Sequence, residues 1–290
     1  LGDYEYHGTS SIGVALFRDK DDAVEDLLKR ADLAMYQAKA SGRNAVRFFD
    51  PAMQASVQAR SQLEGALRRS VLRGDFVLYY QPQVNARGDV VGVEALVRWQ
   101  HAERGLVGPV EFIALAEETG LILNIGQQVL QNACAQLKAW NDEAATQALN
   151  VSVNVSARQF RHPDFVDMVL ANVEDSGIDA SHLILEITES MLLGNLDETI
   201  AKMRCLRDAG IRFSIDDFGT GYSSLAYLQR LPLNEVKIDR SFVAHLEDNP
   251  NHAAICAAFI SLAHILGLSV VAEGVETEAQ RYFLTTVHHS

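Results

Sequence analysis

The feature that most limits how this chain can fold is a rhythm that sets in at Asp75. Short apolar runs suited to strands fall at 76–81, 91–98, 149–155, 183–188, 211–216, 235–239 and 269–273. Helical spacing fills most of the gaps, at 109–119, 122–140, 162–175, 196–209, 221–230 and 252–267. Strands alternating with helices build a parallel sheet with helices outside it, and this many repeats favour a barrel over an open sheet. One connection breaks the rule. Only Pro82 to Val90 separates the first two strands, too short for the crossover that a parallel pair needs, so that pair is expected to be antiparallel.

After the seventh strand, 290 − 273 = 17 residues remain, enough for a helix over 276–284 with no evident eighth strand. The expected class is α/β: a modified (β/α)8 TIM-type barrel with one antiparallel strand, lacking its eighth, preceded by an N-terminal α+β fragment. In that fragment Ser11–Phe17 and Val46–Phe49 read as strands around a helix over 23–40, with Gly42 as its C-cap. Asp50-Pro51 then supplies an N-cap and a proline at the first helical position, opening a helix from Ala52 to Leu72 that joins the two parts. The expected division is 1–50, a linker helix start at 51–60, and a large domain over 61–290.

Composition narrows the function. A chain of 290 residues that is 48% hydrophobic has material for one large or two ordinary globular domains. No apolar run approaches the roughly 18 residues of a membrane span, and Leu1-Gly2-Asp3-Tyr4 lacks a signal peptide's basic and apolar regions. Cys134, Cys205 and Cys256 are odd in number and widely spaced, which reads as reduced thiols serving as core filler in a cytoplasmic protein. A net charge of −13 argues against a duplex nucleic-acid binder.

The chemistry gathers at strand ends. Ile211, Phe213 and Ile215 lead into two adjacent carboxylates, Asp216 and Asp217, and then a glycine-hinged loop. Two such charges about 4 Å apart repel by roughly 4 kcal/mol at an effective dielectric near 20, so a cation is expected beside them. Period-two alternation places Glu94 with Arg98, Ser152 with Asn154, Glu186 with Thr188, Ser214 with Asp216, Lys237 with Asp239, and Val271 with Glu273. Six strands thus carry an ionisable or amide group near the C-terminal end, the catalytic face of a barrel. A strand-end charge taken singly needs no purpose, because strand ends commonly meet solvent. Carboxylates and an amide without thiol or imidazole suit hard cations, Mg²⁺ or Mn²⁺, and two ions about 3.5–4 Å apart would fit tandem aspartates acting on a phosphodiester. Among acids Lys237 is expected to stay an ammonium that orients water or phosphate, Glu273 is the better proton acceptor, and Arg98 offers a fork for phosphate.

Glu94-Ala95-Leu96-Val97-Arg98-Trp99 resembles the signature of the EAL domain, the cyclic-di-GMP phosphodiesterase family. The resemblance continues through Asn154–Phe160, Glu186–Ser190, Asp216–Leu225, Val236–Asp239 and Ala272–Glu276, covering nearly everything from Ser61 to Phe283. The first fifty residues resemble the C-terminal end of a GGDEF (diguanylate cyclase) domain, in Ser11–Ala15, Ala31–Lys39 and Gly42-Arg43-Asn44, without that family's naming motif. A working cyclase is therefore not expected there, and a structural role is.

What the resemblance implies is a ligand set of Glu94, Asn154, Glu186 and Asp216 for a first metal, with Asp216 and Asp217 at a second. Lys237 and Glu273 would manage the attacking water. Arg98 would hold a phosphate, with Gln81 and Asp239 as further substrate contacts. Glu189 would brace the loop after Asp217, Glu276 would support the site from outside, and the loop 218–225 would link it to a homodimer interface. The implied reaction opens cyclic di-GMP to linear pGpG. The family's eighth strand, with a glutamine and glycine that help close the site, has no counterpart here. The rival reading is an EAL-type receptor that binds the dinucleotide without turnover. A third, from the residues alone, is an enolase-like barrel in which Lys237 abstracts a carbon-bound proton.

Overall fold

The computed structural model describes residues 8–17, 23–193, 195–219 and 228–288. The chain divides into two compact units, Leu1–Arg68 and Arg69–Ser290.

In the first unit β1 (Ile12–Val14) and β2 (Val46–Phe48) pair in parallel, and α1 (Val24–Ala40) is the crossover between them. Gly13 is required there. A Cβ at that position would lie 2.0 Å from the Ala31 carbonyl oxygen and 2.2 Å from the Met35 nitrogen, so only glycine lets β1 lie against the helix. So short a stretch encloses little. Leu16, Phe17, Leu28, Val46 and Phe48 all stay exposed.

The helix α2 (Pro51–Arg73) begins as the sequence predicts, with Asp50 Oδ1 accepting the Ala52 N–H at 2.9 Å. It ends at Gly74, whose positive φ of 75° turns the chain so that the Gly74 and Asp75 N–H groups both reach the Ser70 carbonyl.

The second unit is a curled sheet with helices outside it. Its seven main strands are β3 (Phe76–Val84), β4 (Val90–His101), β6 (Asn150–Asn154), β7 (Leu183–Thr188), β8 (Arg212–Phe218), β9 (Glu235–Ile238) and β10 (Ser269–Ala272). They follow the order β10-β9-β8-β7-β6-β4-β3, and a short β5 (Gly105–Val107) lies against the end of β4. The β3–β4 pair is antiparallel and every other main pairing is parallel, as the short connection requires. Its turn is built by Asn85, whose side-chain oxygen accepts the N–H groups of Arg87 and Asp89. Among the described residues no strand joins β10 to β3, and the next element after β10 is a helix.

The intervening helices are α3 (Pro109–Thr119), α4 (Ile122–Asn141), α5 (Ala157–Arg161), α6 (Phe165–Ser176), α7 (Leu196–Asp208), α8 (Arg240–Val243), α9 (Pro250–Ile265) and α10 (Glu278–His288). The helix expected over 162–175 is α6, which starts three residues later at Phe165; the short α5 before it, over 157–161, is a separate helix with no counterpart among the expected ones, and Pro163 stands between the two. The helix expected over 221–230 lies largely outside the described residues. The strand β5 carries no alternation long enough to read from sequence. Strand β7 is the centre of the core, with Leu183, Leu185 and Ile187 fully buried. Among the described residues no helix is long and apolar enough to cross a membrane.

The cysteines divide. Cys134 and Cys256 are buried core filler as expected, whereas Cys205 on α7 is exposed. Burial pushes both buried thiols up to about 11. In the native protein a thiol reagent at pH 8 should modify Cys205 quickly and the other two only after unfolding; a second fast thiol would contradict the packing.

Candidate active site

Register brings the strand-end groups level. Asn154 on β6 lies beside Glu186 on β7, Glu186 beside Ser214 on β8, and Lys237 on β9 beside Val271 on β10. In a flat sheet, four strand spacings from β9 to β4 would separate Lys237 from Glu94 by about 19 Å. The Lys237 Nζ to Glu94 Oε2 distance is 3.1 Å, which requires the sheet to curl until these side chains meet.

Lys237 is the centre of the site. Its Nζ lies 2.6 Å from Glu273 Oε1, 2.8 Å from Glu186 Oε2, 3.1 Å from Glu94 Oε2 and 3.5 Å from Asp216 Oδ1. Asn154 Nδ2 donates to the other oxygen of Glu94 at 2.7 Å. The lysine side chain is only 1% exposed. Burial is the largest influence on it and works to lower its pKa, but attraction to Glu186, Glu94 and Asp216 and the hydrogen bond to Glu186 together carry it above the ordinary lysine value. It is held as an ammonium.

The acids are left with an excess of negative charge, four carboxylates facing one ammonium. Burial pushes the Glu186 pKa up, Lys237 opposes that rise, and the nearby Glu94 and Asp216 reinforce it. Glu273 is raised by burial first, against the pull of Lys237. These groups have the character of a divalent-cation site: carboxylate and amide donors, surplus charge, and a Glu186 Oε1 that is buried with no hydrogen-bond partner. As they stand, the oxygens converge on the ammonium, and among the described residues no three such ligands face a common ion position.

The tandem aspartates sit in a β-bulge. Ile215 pairs with Val236 and Phe218 with Ile238, so Asp216 and Asp217 together oppose Lys237 alone. Simple alternation would turn Asp217 away from Asp216. Instead Asp217 adopts a left-handed conformation, φ 55°, at a cost of about 1–3 kcal/mol, and its N–H donates to Asp216 Oδ1 at 2.9 Å. Its pKa is raised by burial and by the charges of Asp216 and Asp239, with Lys237 opposing.

A model of the EAL domain matches residues 64–288, and one described as diguanylate cyclase, GGDEF domain, matches residues 2–45. The chain belongs to the EAL domain family. It is 46% identical over 283 residues to a Pseudomonas aeruginosa protein named bifunctional diguanylate cyclase/cyclic di-GMP phosphodiesterase MucR, covering 97% of this chain and 41% of that protein. To the cyclic di-GMP phosphodiesterase NbdA of the same organism it is 43% identical over 281 residues, covering 97% of this chain and 36% of that one. The chain thus spans about two-fifths of these relatives. Among solved structures, the PaMucR phosphodiesterase in complex with c-di-GMP is 47% identical, with a TM-score of 0.75, covering 78% of this chain and 92% of that chain. The EAL enzyme Bd1971, in its cAMP- and cyclic-di-GMP-bound form, is 32% identical with a TM-score of 0.76, covering 92% of this chain and 70% of that one.

In this EAL domain the six groups Glu94, Asn154, Glu186, Asp216, Lys237 and Glu273 come together as the sequence predicts, with Asp217 alongside. Other expected residues stand apart from that cluster. Arg98 Nη1 donates to the Val97 carbonyl, and its guanidinium lies 5.9 Å from the centre of the Tyr79 ring. Gln81 faces Glu94 across the β3–β4 ladder but is exposed. Asp239 caps α8, accepting the N–H and hydroxyl of Ser241, and the Ser241 hydroxyl holds its pKa below the usual range. Glu189 is buried with Oε2 unpartnered. The Glu276 side chain is exposed; its backbone N–H donates to Gln280 Oε1 at 2.8 Å. Gln280, buried, also accepts from Thr277 N–H, while Thr277 Oγ1 accepts the Gln280 N–H. That capping box anchors the turn after Glu273, and Thr-x-x-Gln was its readable signal. Of the loop 218–225, residues 220–225 lie outside the described residues.

Glu273 and Glu186 bind a proton more tightly folded than unfolded. Their contribution to stability is therefore fullest below the unfolded carboxylate pKa near about 4.3 and is lost as pH rises through that value toward the raised folded one. In chelator, the melting temperature of Glu273→Gln should accordingly gain on the parent as pH rises from about 4 to about 8. A constant difference across that range would contradict the placement of Glu273.

Proposed function

We propose that this chain is a metal-dependent phosphodiesterase that hydrolyses cyclic di-GMP to linear pGpG, thereby lowering a bacterial second messenger in the cytoplasm. The observation that carries this reading is the meeting of Glu94, Glu186, Asp216 and Glu273 on one buried lysine at the sheet's C-terminal edge. Relatives named cyclic di-GMP phosphodiesterases support the substrate.

In this reading Glu94, Asn154, Glu186 and Asp216 would hold one Mg²⁺ or Mn²⁺, and Asp216 with Asp217 would hold or position a second. When bound, the ions supply positive charge beside the reacting phosphate and make water a stronger nucleophile. The chain's own groups do the rest. Lys237, kept positive by its neighbours, positions the attacking water or a phosphate oxygen and cannot take its proton. Glu273, part-exposed at the rim with a raised pKa, accepts that proton as the water oxygen bonds to phosphorus and one P–O ester bond breaks. The leaving oxygen takes up a proton from solvent and becomes the free hydroxyl of the linear product, and Glu273 returns its proton to solvent. Arg98 would hold a phosphate by its guanidinium, with Gln81 and Asp239 as further substrate contacts. Glu189 braces the loop after Asp217, Glu276 supports the site from outside, and the loop 218–225 joins two such chains in a homodimer. The domain limits in this reading are a GGDEF remnant over 1–50, the linker helix start at 51–60 and the phosphodiesterase domain over 61–290.

A second reading is an EAL-type receptor that binds cyclic di-GMP without hydrolysing it. The enolase-like reading is disfavoured, because a lysine held as an ammonium is no base for a carbon-bound proton.

Incubation with cyclic di-GMP and Mg²⁺ or Mn²⁺, followed by chromatography, should yield the linear dinucleotide. Glu94→Ala should lose at least a hundredfold in turnover, roughly 2.7 kcal/mol of barrier, since it removes a ligand and a partner of Lys237. Undiminished activity in that variant would refute the site, and tight binding without product in the parent would favour the receptor.

A further inference from the structure

The strained pair Asp216-Asp217 needs something to hold it, and the side chain in that position is Phe259, on α9 and 42 residues beyond Asp217 in the chain. Immediately after the bulge, Phe218 is buried and meets the Phe259 ring edge-on, centroids 5.1 Å apart at 61°. The next residue, Gly219, is pressed against the same ring. A Cβ there would stand 2.6 Å from both Cε2 and Cζ of Phe259 and 3.3 Å from Phe242 Cε2. Gly219 also has a φ of 93°, so the backbone leaves the bulge in a conformation suited to glycine and directly over the ring. Phe242, on the α8 helix capped by Asp239, packs edge-to-face on Phe259 at 5.5 Å and 89°. One ring thus bears on the segment after Asp217 and on the helix that follows Asp239.

We propose that Phe259 is a positioning residue for the tandem aspartates. It touches no reacting group. By filling the space beneath Phe218 and Gly219 it keeps Asp216 and Asp217 paired two-against-one with Lys237, and so keeps Asp217 in its left-handed conformation beside Asp216. Without the ring, the bulge is free to relax toward regular pairing, in which alternation turns one of the two carboxylates away from the other. Such a residue should affect the site's hold on a divalent ion and the rate of turnover more than it affects the binding of the dinucleotide. This inference rests on the functional reading above for its kinetic consequence, but not for its structural one.

The test compares Phe259→Ala and the milder Phe259→Leu with Ile260→Ala. Ile260 is buried on the same helix in the cluster of Ile238, Val243, Leu246 and Cys256, and serves as a control for lost packing. Amide hydrogen exchange over residues 215–219, in chelator, should accelerate at least tenfold in Phe259→Ala, less in Phe259→Leu, and little in Ile260→Ala at matched stability. Mn²⁺ affinity, followed calorimetrically, should fall at least tenfold in Phe259→Ala, and kcat with it, while KM for cyclic di-GMP changes less than threefold. Ile260→Ala should keep both Mn²⁺ affinity and kcat. If Phe259→Ala exchanges no faster over 215–219 than Ile260→Ala does, the proposal is overturned, whatever the kinetics. If the parent chain lacks turnover, the functional reading falls, and the exchange comparison still decides the role of Phe259.

Discussion

Taking an ammonium out of water costs several kcal/mol, and the second unit is built so that four carboxylates offset that cost at one point. Lys237 and its acids come from β4, β7, β8, β9 and the end of β10, so the charge cluster can form only once the sheet has curled. Hydrophobic burial drives the curl, through residues such as Leu183, Leu185, Ile187 and Phe213 that are fully enclosed. The ion cluster then specifies which strand ends face one another. At this point the acids outnumber the lysine, which leaves the cluster with an excess of negative charge.

The mouth is held by close approaches at glycine and by capping. Gly274 has a φ of 67° and lies so near Arg240 that a Cβ would stand 2.7 Å from its Cβ, which ties the turn after Glu273 to the turn after Asp239. Gln280 receives the N–H groups of Glu276 and Thr277 and fixes the same turn from the other side. The tolerance of this arrangement for added atoms is low, because several of its contacts are already at van der Waals distance.

The two units differ in how well their sequences can enclose a core. The second buries apolar side chains on both faces of its sheet, whereas the first leaves Leu16, Phe17 and Leu28 in water with only a two-stranded sheet and one helix to cover them. Its residues 2–45 match the diguanylate cyclase, GGDEF domain. The helix α2 that follows it is bounded by local chemistry, its start fixed by Asp50 and Pro51 and its end by Gly74.

Most of the architecture was legible in the amino-acid sequence because strand and helix periods differ and the connections are short. The alternation from Phe76 to Ala272, the antiparallel first pair and the helix start at Asp50-Pro51 follow from local chemistry, which the chain carries residue by residue. The same is true of which residues stand at strand ends, and so of Glu94, Asn154, Glu186, Asp216, Lys237 and Glu273 as a set. Tertiary structure alone decided that Lys237, rather than an open space, lies at their centre, since that depends on the radius to which the sheet closes. It also decided that Asp216 and Asp217 share a side through a bulge, and that Phe259 and Gln280 stand beneath the loops. Those outcomes come from packing between segments far apart in the chain, and no local period encodes them.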